Sequence, residues 1–285
     1  MGPRLEISTA VFTDGIYVDK LVSQELYLDA WQSETVLRLG RIFKALSISV
    51  AELQDYYVKL SRSSSSEPTS VHLFPNPLPT VEGVRIPKLN YLGKLSHRGE
   101  LIDIMGKGRD GLERPYAIYR AKMVLGKPHD EVDVVVKFTA CYNDEAHRIL
   151  AENGLAPALR FFAPLIGRLY MVVMDYVDSP PLCYVKDRTD YDVIYNDVQT
   201  AIQLLHQKNL VYGDLRDQNI VPKPTGGAML IDFDWVGRHR NTKYPASWNT
   251  DQATFAKGVG RWKLMEKQHD SFMLERLKGS FGSPE

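Results

Sequence analysis

The residues best suited to chemistry share one polar cluster in apolar surroundings. The stretch LVYGDLRDQNIV holds Asp214 and, five residues on, Asn219. Thirteen residues later a second carboxylate, Asp232, closes the apolar run MLID. A carboxylate and an amide oxygen on one loop, with a carboxylate on an adjacent hairpin, make a hard-oxygen site. Mg²⁺ favours such donors, together with phosphate oxygens and water. Lys137 closes the run VVVK. An ammonium at the inner end of a strand calls for an anion, and the helix that follows offers Glu145, with Asp144 and Glu152 as alternatives. Taken singly, an Asp or Asn in a loop is usually a cap or turn former. Taken together, Lys137, Asp214, Asn219 and Asp232 favour a functional reading.

The elements that must carry these residues are legible in outline. Residues 1–60 read as a helical N-terminal extension. No Pro occurs from Val18 to Leu46, and Val36, Leu39, Phe43 and Leu46 recur at helical spacing. Ser49 and Glu52 form a capping-box pattern that opens a second helix bearing Leu53, Tyr56, Tyr57 and Leu60. Residues 61–87 are Ser- and Pro-rich and read as a linker, because such composition offers little apolar area to offset ordering entropy. From residue 88 the chain turns strand-rich. Strands are expected at 116–123, 132–138, 160–162 and 169–176, with a short helix over 144–153. A helix follows at 190–208, with Val198, Ala201, Ile202 and Leu205 on one face. Two short strands at 219–221 and 228–233 flank the turn Pro224-Thr225-Gly226-Gly227. A last helix spans 266–278, and 279–285 form a tail. The expected fold class is α+β, with a smaller strand-rich lobe over 88–177 and a helical lobe over 178–278.

In this order and spacing the motifs resemble the protein-kinase-like superfamily. Val135-Val136-Lys137 resembles the kinase V-A-I-K strand, and Tyr212-Gly213-Asp214-Leu215-Arg216-Asp217-Gln218-Asn219 the H-R-D catalytic loop with its Asn. Asp232-Phe233-Asp234 resembles D-F-G. Met171 to Val177 resembles the hinge that binds adenine, and His269-Asp270-Ser271-Phe272 the helix whose Asp braces the catalytic loop. The sequence is most similar to fungal kinase-like proteins and shares features with aminoglycoside phosphotransferases and choline kinases. The resemblance covers residues 90–278. It implies a bilobal fold and an ATP- and Mg²⁺-dependent phosphotransferase acting on a hydroxyl, with a protein Ser/Thr as the favoured acceptor. A small-molecule kinase and a nucleotide-binding pseudokinase are the alternatives.

Residue roles follow from the resemblance. Asp214 orients or accepts the hydroxyl proton, and Lys137, partnered by Glu145, clamps phosphate. Arg216 steadies the γ-phosphate. Asn219 and Asp232 hold Mg²⁺. Met174, Asp175 and Val177 face adenine, and Gly106, Gly108 and Gly111 cover the phosphates, with Gly93 to Gly99 as a competing glycine loop. The chain departs from the pattern at Tyr212, Gly213 and Asp234, where protein kinases carry His, Arg and Gly. It also ends soon after Asp270, so the expected helical lobe is short.

Composition narrows the classes further. The 285 residues carry 35 basic and 35 acidic side chains and are 44% hydrophobic. This argues against a polyanion-binding chain, which needs a basic excess, and against disorder. With only two cysteines, no membrane-length apolar run and no signal-like N-terminus, the expectation is a cytoplasmic protein in a reducing compartment, with both cysteines buried. ATP and a protein or small-molecule hydroxyl are the expected partners, with no nucleic acid and no membrane. Oligomeric state is not legible.

Overall fold

The computed structural model describes residues 4–12, 16–25, 33–62, 74–96, 98–102, 117–126, 130–185, 190–245 and 255–281. These fall into two compact units, Met1–Leu73 and Phe74–Glu285.

The first unit is not purely helical, which corrects the expectation for residues 1–60. It opens with an antiparallel hairpin of β1 (Arg4–Phe12) and β2 (Ile16–Glu25). Exposure alternates along Leu5, Glu6, Ile7, Ser8 and Thr9, the period of two that marks a strand. The connection carries Asp14-Gly15, a strong hairpin signal. One helix, α1 (Ser33–Arg62), then runs for 30 residues. Ser49 lies inside it and opens no second helix. Neither Ser49 nor Glu52 breaks a helix, and no proline interrupts the segment.

The second unit has a sheet-rich half and a helix-rich half, as a protein-kinase-like fold requires. Its antiparallel sheet runs β4-β3-β5-β6-β8-β7, built from β3 (Leu89–Leu95), β4 (Leu101–Ile102), β5 (Ile118–Val124), β6 (Glu131–Thr139), β7 (Leu159–Leu165) and β8 (Leu169–Asp175). Helix α2 (Asp144–Glu152) separates β6 from β7, and its free N–H of Ala146 is capped by Asn143 at 2.9 Å. Tyr119, Ala121, Val134, Val136, Met171 and Val173 form the core on the sheet.

Part of the expected linker belongs to this unit. Phe74 stacks on Tyr91 with ring centroids 5.2 Å apart, and Ile86 packs on the same core. Thr80 N–H donates to the Pro164 carbonyl at 3.1 Å, and Ile166 N–H to the Leu78 carbonyl at 3.0 Å. The Pro-rich segment thereby covers the outer edge of β7, whose backbone groups would otherwise be open to another strand.

The helix-rich half centres on α3 (Tyr191–Gln207), which buries Ile194, Val198, Ala201, Ile202 and Leu205 along one face. These spacings of three and four make the apolar stripe that a core-facing helix needs. Short antiparallel pairs follow, β9 (Leu210–Val211) with β12 (Gly237–Arg238) and β10 (Ile220–Pro222) with β11 (Ala228–Leu230). Helix α4 (Lys267–Phe281) ends the described chain and packs Met273, Leu274 and Leu277 into the same core. No helix among the described residues is long and apolar enough to cross a membrane. Cys141 is exposed and Cys183 partly so, and neither forms a disulfide. Their expected burial fails because Cys141 falls on the loop after β6, and Cys183 sits in a short 3₁₀ turn, Leu182–Tyr184, whose buried residue is Leu182.

Candidate active site

Lys137 lies on the interior strand β6, between Ile118 of β5 and Val172 of β8. Its Nζ reaches Asp232 Oδ1 at 2.8 Å and Asp234 Oδ1 at 2.7 Å. Burial works against the buried ammonium, but these two carboxylates outweigh it and raise its pKa. The same contact overcomes the effect of burial on Asp232 and lowers its pKa. Asp234 behaves differently. Burial first, then the Asp232 charge, push it up to about 6. Thr139 Oγ1 donates to its other oxygen, Oδ2, at 2.8 Å.

This arrangement corrects one expectation. Glu145 does not partner Lys137. It pairs with Arg238 at 2.8 Å, and both side chains are half exposed. Asp144 pairs with Arg148 one turn on. Helix α2 starts so soon after β6 that Glu145 falls in its first turn, away from the strand's amine. Asp234 takes the place that the spacing assigned to the helix.

The backbone explains how two acids reach one amine. Asp232 has φ 66°, a left-handed conformation that Asp tolerates better than most residues. Phe233 between them points the other way and is fully buried. It stacks on His147 of α2 at 4.6 Å. His147 is itself fully satisfied. Its Nε2 lies 2.8 Å from the Pro157 carbonyl and so must carry the proton, which leaves Nδ1 to accept from Tyr142 Oη at 2.7 Å. Burial holds its pKa down, to about 4.

Asp214 follows β9 on a braced loop. The fully buried Asp270 accepts from Tyr212 N–H and Gly213 N–H, both at 2.8 Å, and lies 3.0 Å from His206 Nε2. Tyr212 is also buried, and its hydroxyl donates to the Ile231 carbonyl. Gly213 has φ 82°, and a Cβ there would overlap Met265 Cε. The departure from Arg at this position therefore has a local cause, since only glycine fits both the backbone and the space.

Asn219 donates Nδ2 to the Asp214 carbonyl and to Asp214 Oδ2, both at 2.9 Å. Both partners are acceptors, so the amide nitrogen must face them and the amide oxygen faces away. Arg216 Nη2 reaches Asp214 Oδ2 at 3.1 Å. Asp214 Oδ1 is buried without a hydrogen-bond partner among the described residues. Burial, opposed by Arg216 and reinforced by Asp232, pushes the Asp214 carboxyl up to about 6. A buried acceptor left open in this way is costly unless something is meant to meet it.

A cavity of about 480 Å³ lies beside this cluster, a size that suits a small-molecule ligand. Lys137, Asp232, Asn219 and Arg216 line its polar end, and Val135, Met174 and Ile231 are among the apolar residues. The hinge residues Met174, Asp175 and Val177 border it. Val177 N–H donates to no other described residue, while its carbonyl accepts from Ser179 N–H at 2.8 Å. Gly99 also lines the cavity, in the tight turn where Ser96 Oγ accepts from Arg98 N–H and Glu100 N–H. Gly106, Gly108 and Gly111 lie outside the described residues. Of the two glycine loops weighed from the sequence, the one ending at Gly99 is thus placed at the cavity.

Hard-oxygen donors converge here. The Asn219 amide oxygen accepts no hydrogen bond from a described residue, and Asp232 Oδ2 takes no part in the Lys137 contact. Both residues line the cavity, and this pairing of a carboxylate with an amide oxygen fits Mg²⁺. Asp234 and Thr139 are the site residues that sequence reasoning missed. The signal was present in D-F-D, where two acids flank one aromatic and face the same way.

No family model matches the chain. It is 29% identical over 86 residues to serine/threonine-protein kinase rio2 of Schizosaccharomyces pombe, across 30% of this chain and 24% of that protein. It is 20% identical over 197 residues to NUAK family SNF1-like kinase 2 of Rattus norvegicus, across 64% of this chain and 30% of that protein. The chain thus aligns with less than a third of the length of either curated relative. These similarities, though weak, support a protein-kinase-like superfamily and a kinase-like phosphotransferase in general terms.

Proposed function

We propose that the chain binds Mg²⁺-ATP in the cavity and transfers the γ-phosphate to a hydroxyl, with a protein Ser or Thr as acceptor. The observation that carries this reading is the meeting of Lys137, Asp232 and Asn219 at the polar end of one cavity, with Asp214 bonded to its lining residues Asn219 and Arg216. Adenine sits against the hinge, where Val177 N–H is available to donate. Lys137 meets the α/β-phosphates, exchanging a carboxylate contact for a phosphate one. Asn219 and Asp232 hold Mg²⁺, which when bound neutralises charge on the bridging phosphates. Asp214 Oδ1 takes the hydroxyl proton as the acceptor oxygen bonds to the γ-phosphorus. The bond to the β-phosphate oxygen breaks, and ADP leaves. Arg216 holds the other Asp214 oxygen and steadies the γ-phosphate.

A protein acceptor is supported by the name of the rio2 relative, a serine/threonine-protein kinase. A small cationic acceptor, as in aminoglycoside or choline kinases, would need acids beside Asp214. The side chains packed against Gly213 are Met265 and Tyr244, which carry no acid. A pseudokinase reading is disfavoured because Lys137, Asp214, Asn219 and Asp232 are all present. We place the protein in the cytoplasm on its two cysteines without a disulfide.

Thermal unfolding with Mg²⁺-ATP tests nucleotide binding. At 100 times the dissociation constant, ligand should add about 2.7 kcal/mol of stability. No shift at saturating Mg²⁺-ATP, or an equal shift in Lys137→Met, would overturn the reading.

A further inference from the structure

The chain is neutral as a whole, yet its charge is unevenly placed. From Gly237 to Lys267 the described residues carry seven Lys or Arg and one acid, Glu266. The segment folds back on itself. Arg240 N–H donates to the Met265 carbonyl at 2.8 Å, Tyr244 N–H to the Lys263 carbonyl at 2.9 Å, and Trp262 N–H to the Tyr244 carbonyl at 3.2 Å. These bonds bring Arg240, Lys243, Arg261 and Lys263 into one layer. The turn at Ala256 to Val259 adds Lys257. All five cations are exposed. Among the described residues Lys243, Lys257, Arg261 and Lys263 form no ion pair, and Arg240 reaches only Glu266, at 3.6 Å.

Two further observations argue against an ordinary solvated face. Trp262 is 65% exposed and has φ 63°. A bulky residue held in the left-handed region is costly, and such strain clusters at binding and active sites. The layer also joins the candidate active site directly. Met265 and Tyr244, both fully buried within it, are the side chains that pack against Gly213, the neighbour of Asp214.

We propose that this surface docks an acidic polypeptide, and that it selects acceptor hydroxyls flanked by Asp, Glu or phosphorylated side chains. The proposal rests on the phosphotransferase reading only for the acceptor role, because docking itself requires no transfer. The cations supply charge-assisted contacts to carboxylates, and Trp262 adds apolar area beside them. Exposed charges of one sign act mainly on encounter and are screened by salt, so binding is salt-dependent. A polypeptide is favoured over nucleic acid because the whole chain, with 35 basic and 35 acidic side chains, lacks the basic excess that phosphate binding needs.

The experiment uses the full chain and a fluorescein-labelled peptide with one serine flanked by glutamates. Its glutamine counterpart and a 20-nucleotide single-stranded RNA serve as controls. Fluorescence anisotropy should show the acidic peptide binding at least ten-fold more tightly than the glutamine peptide, with the difference lost at 0.5 M NaCl. The combined variant Lys257→Glu, Arg261→Glu, Lys263→Glu should weaken acidic-peptide binding ten-fold or more. Its thermal unfolding and Mg²⁺-ATP affinity should not change. Trp262→Ala should weaken binding with no change in salt dependence. Equal binding of the two peptides, or acidic-peptide binding unaffected by the charge reversals, overturns the proposal. RNA bound more tightly than the acidic peptide and released by the charge reversals also overturns it, in favour of a nucleic-acid partner. Acidic-peptide binding lost in the variant supports the docking surface. If the bound peptide is then not phosphorylated while another acceptor is, selection of acid-flanked hydroxyls is overturned. If no acceptor is phosphorylated, the phosphotransferase reading fails and the docking surface stands.

Discussion

Replacing Lys137 by Met tests which residues hold it. Its Nζ lies 2.8 Å from Asp232 Oδ1 and 2.7 Å from Asp234 Oδ1. The two oxygens are therefore no more than about 5.5 Å apart, the sum of those distances. With the ammonium gone, two carboxylates at that separation repel by about 3 kcal/mol at an effective dielectric near 20. Asp232 is partly open to solvent, so screening reduces this to about 2 kcal/mol. The exposed Glu145–Arg238 pair is expected to contribute about 0–1 kcal/mol. Urea unfolding without nucleotide or divalent metal should show Lys137→Met destabilised by about 2 kcal/mol and Glu145→Gln by less than about 1 kcal/mol. Adding Asp234→Asn to Lys137→Met should recover part of the loss, because one of the two repelling charges is removed. A Lys137→Met cost below that of Glu145→Gln, or no recovery in the double variant, would refute Asp232 and Asp234 as the partners of Lys137.

Other perturbations probe the braces around the site. Asp270→Asn turns one acceptor into a donor facing a buried N–H, and should cost about 3 kcal/mol in chemical unfolding. Gly213→Ala meets both a left-handed backbone and the Met265 methyl, and should lose about 1–3 kcal/mol. His147 is held neutral by burial, with its pKa lowered from 6.5 to about 4. Between those values the unfolded chain binds the extra proton and the folded chain does not. Stability should therefore fall by up to about 3 kcal/mol as pH drops from 6.5 to 4, and His147→Gln should flatten that part of a pH–stability profile. Chelating Mg²⁺ should weaken ATP binding ten-fold or more by calorimetry, and Asn219→Ala should reduce that dependence on Mg²⁺.

Much of the candidate site was legible because its signals are local. Asp214 and Asn219 share one loop, and Asp232 follows on the next hairpin, so spacing alone brings them near one another. Helix α3 shows its buried face through Val198, Ala201, Ile202 and Leu205, because helical periodicity is a short-range property. The partner of Lys137 was not legible in the same way. Spacing pointed to the nearest helix acid, whereas the contact spans 95 and 97 residues, and nothing local encodes a pairing set by how two layers pack. The β1–β2 hairpin was missed because its alternation mixes Ser8, Thr9, Asp19 and Lys20 with apolar residues, and the turn signal at Asp14-Gly15 was outweighed by the helical run beyond it. The linker was overextended for a related reason. Pro79 and Thr80 look like loop residues by composition, yet a sheet edge recruits them through backbone bonds that any sequence can make.

Asp214 is the residue proposed to direct phosphate to a hydroxyl. The most direct test of that role is transfer of γ-labelled phosphate from Mg²⁺-ATP to the acidic serine peptide and to mixed protein and small-molecule acceptors, with the unaltered chain and with Asp214→Asn. The unaltered chain should label a hydroxyl. Asp214→Asn should slow transfer by ~10²-fold or more while keeping its ATP affinity within a few-fold. No transfer to any acceptor, or equal rates in the two proteins, would contradict it.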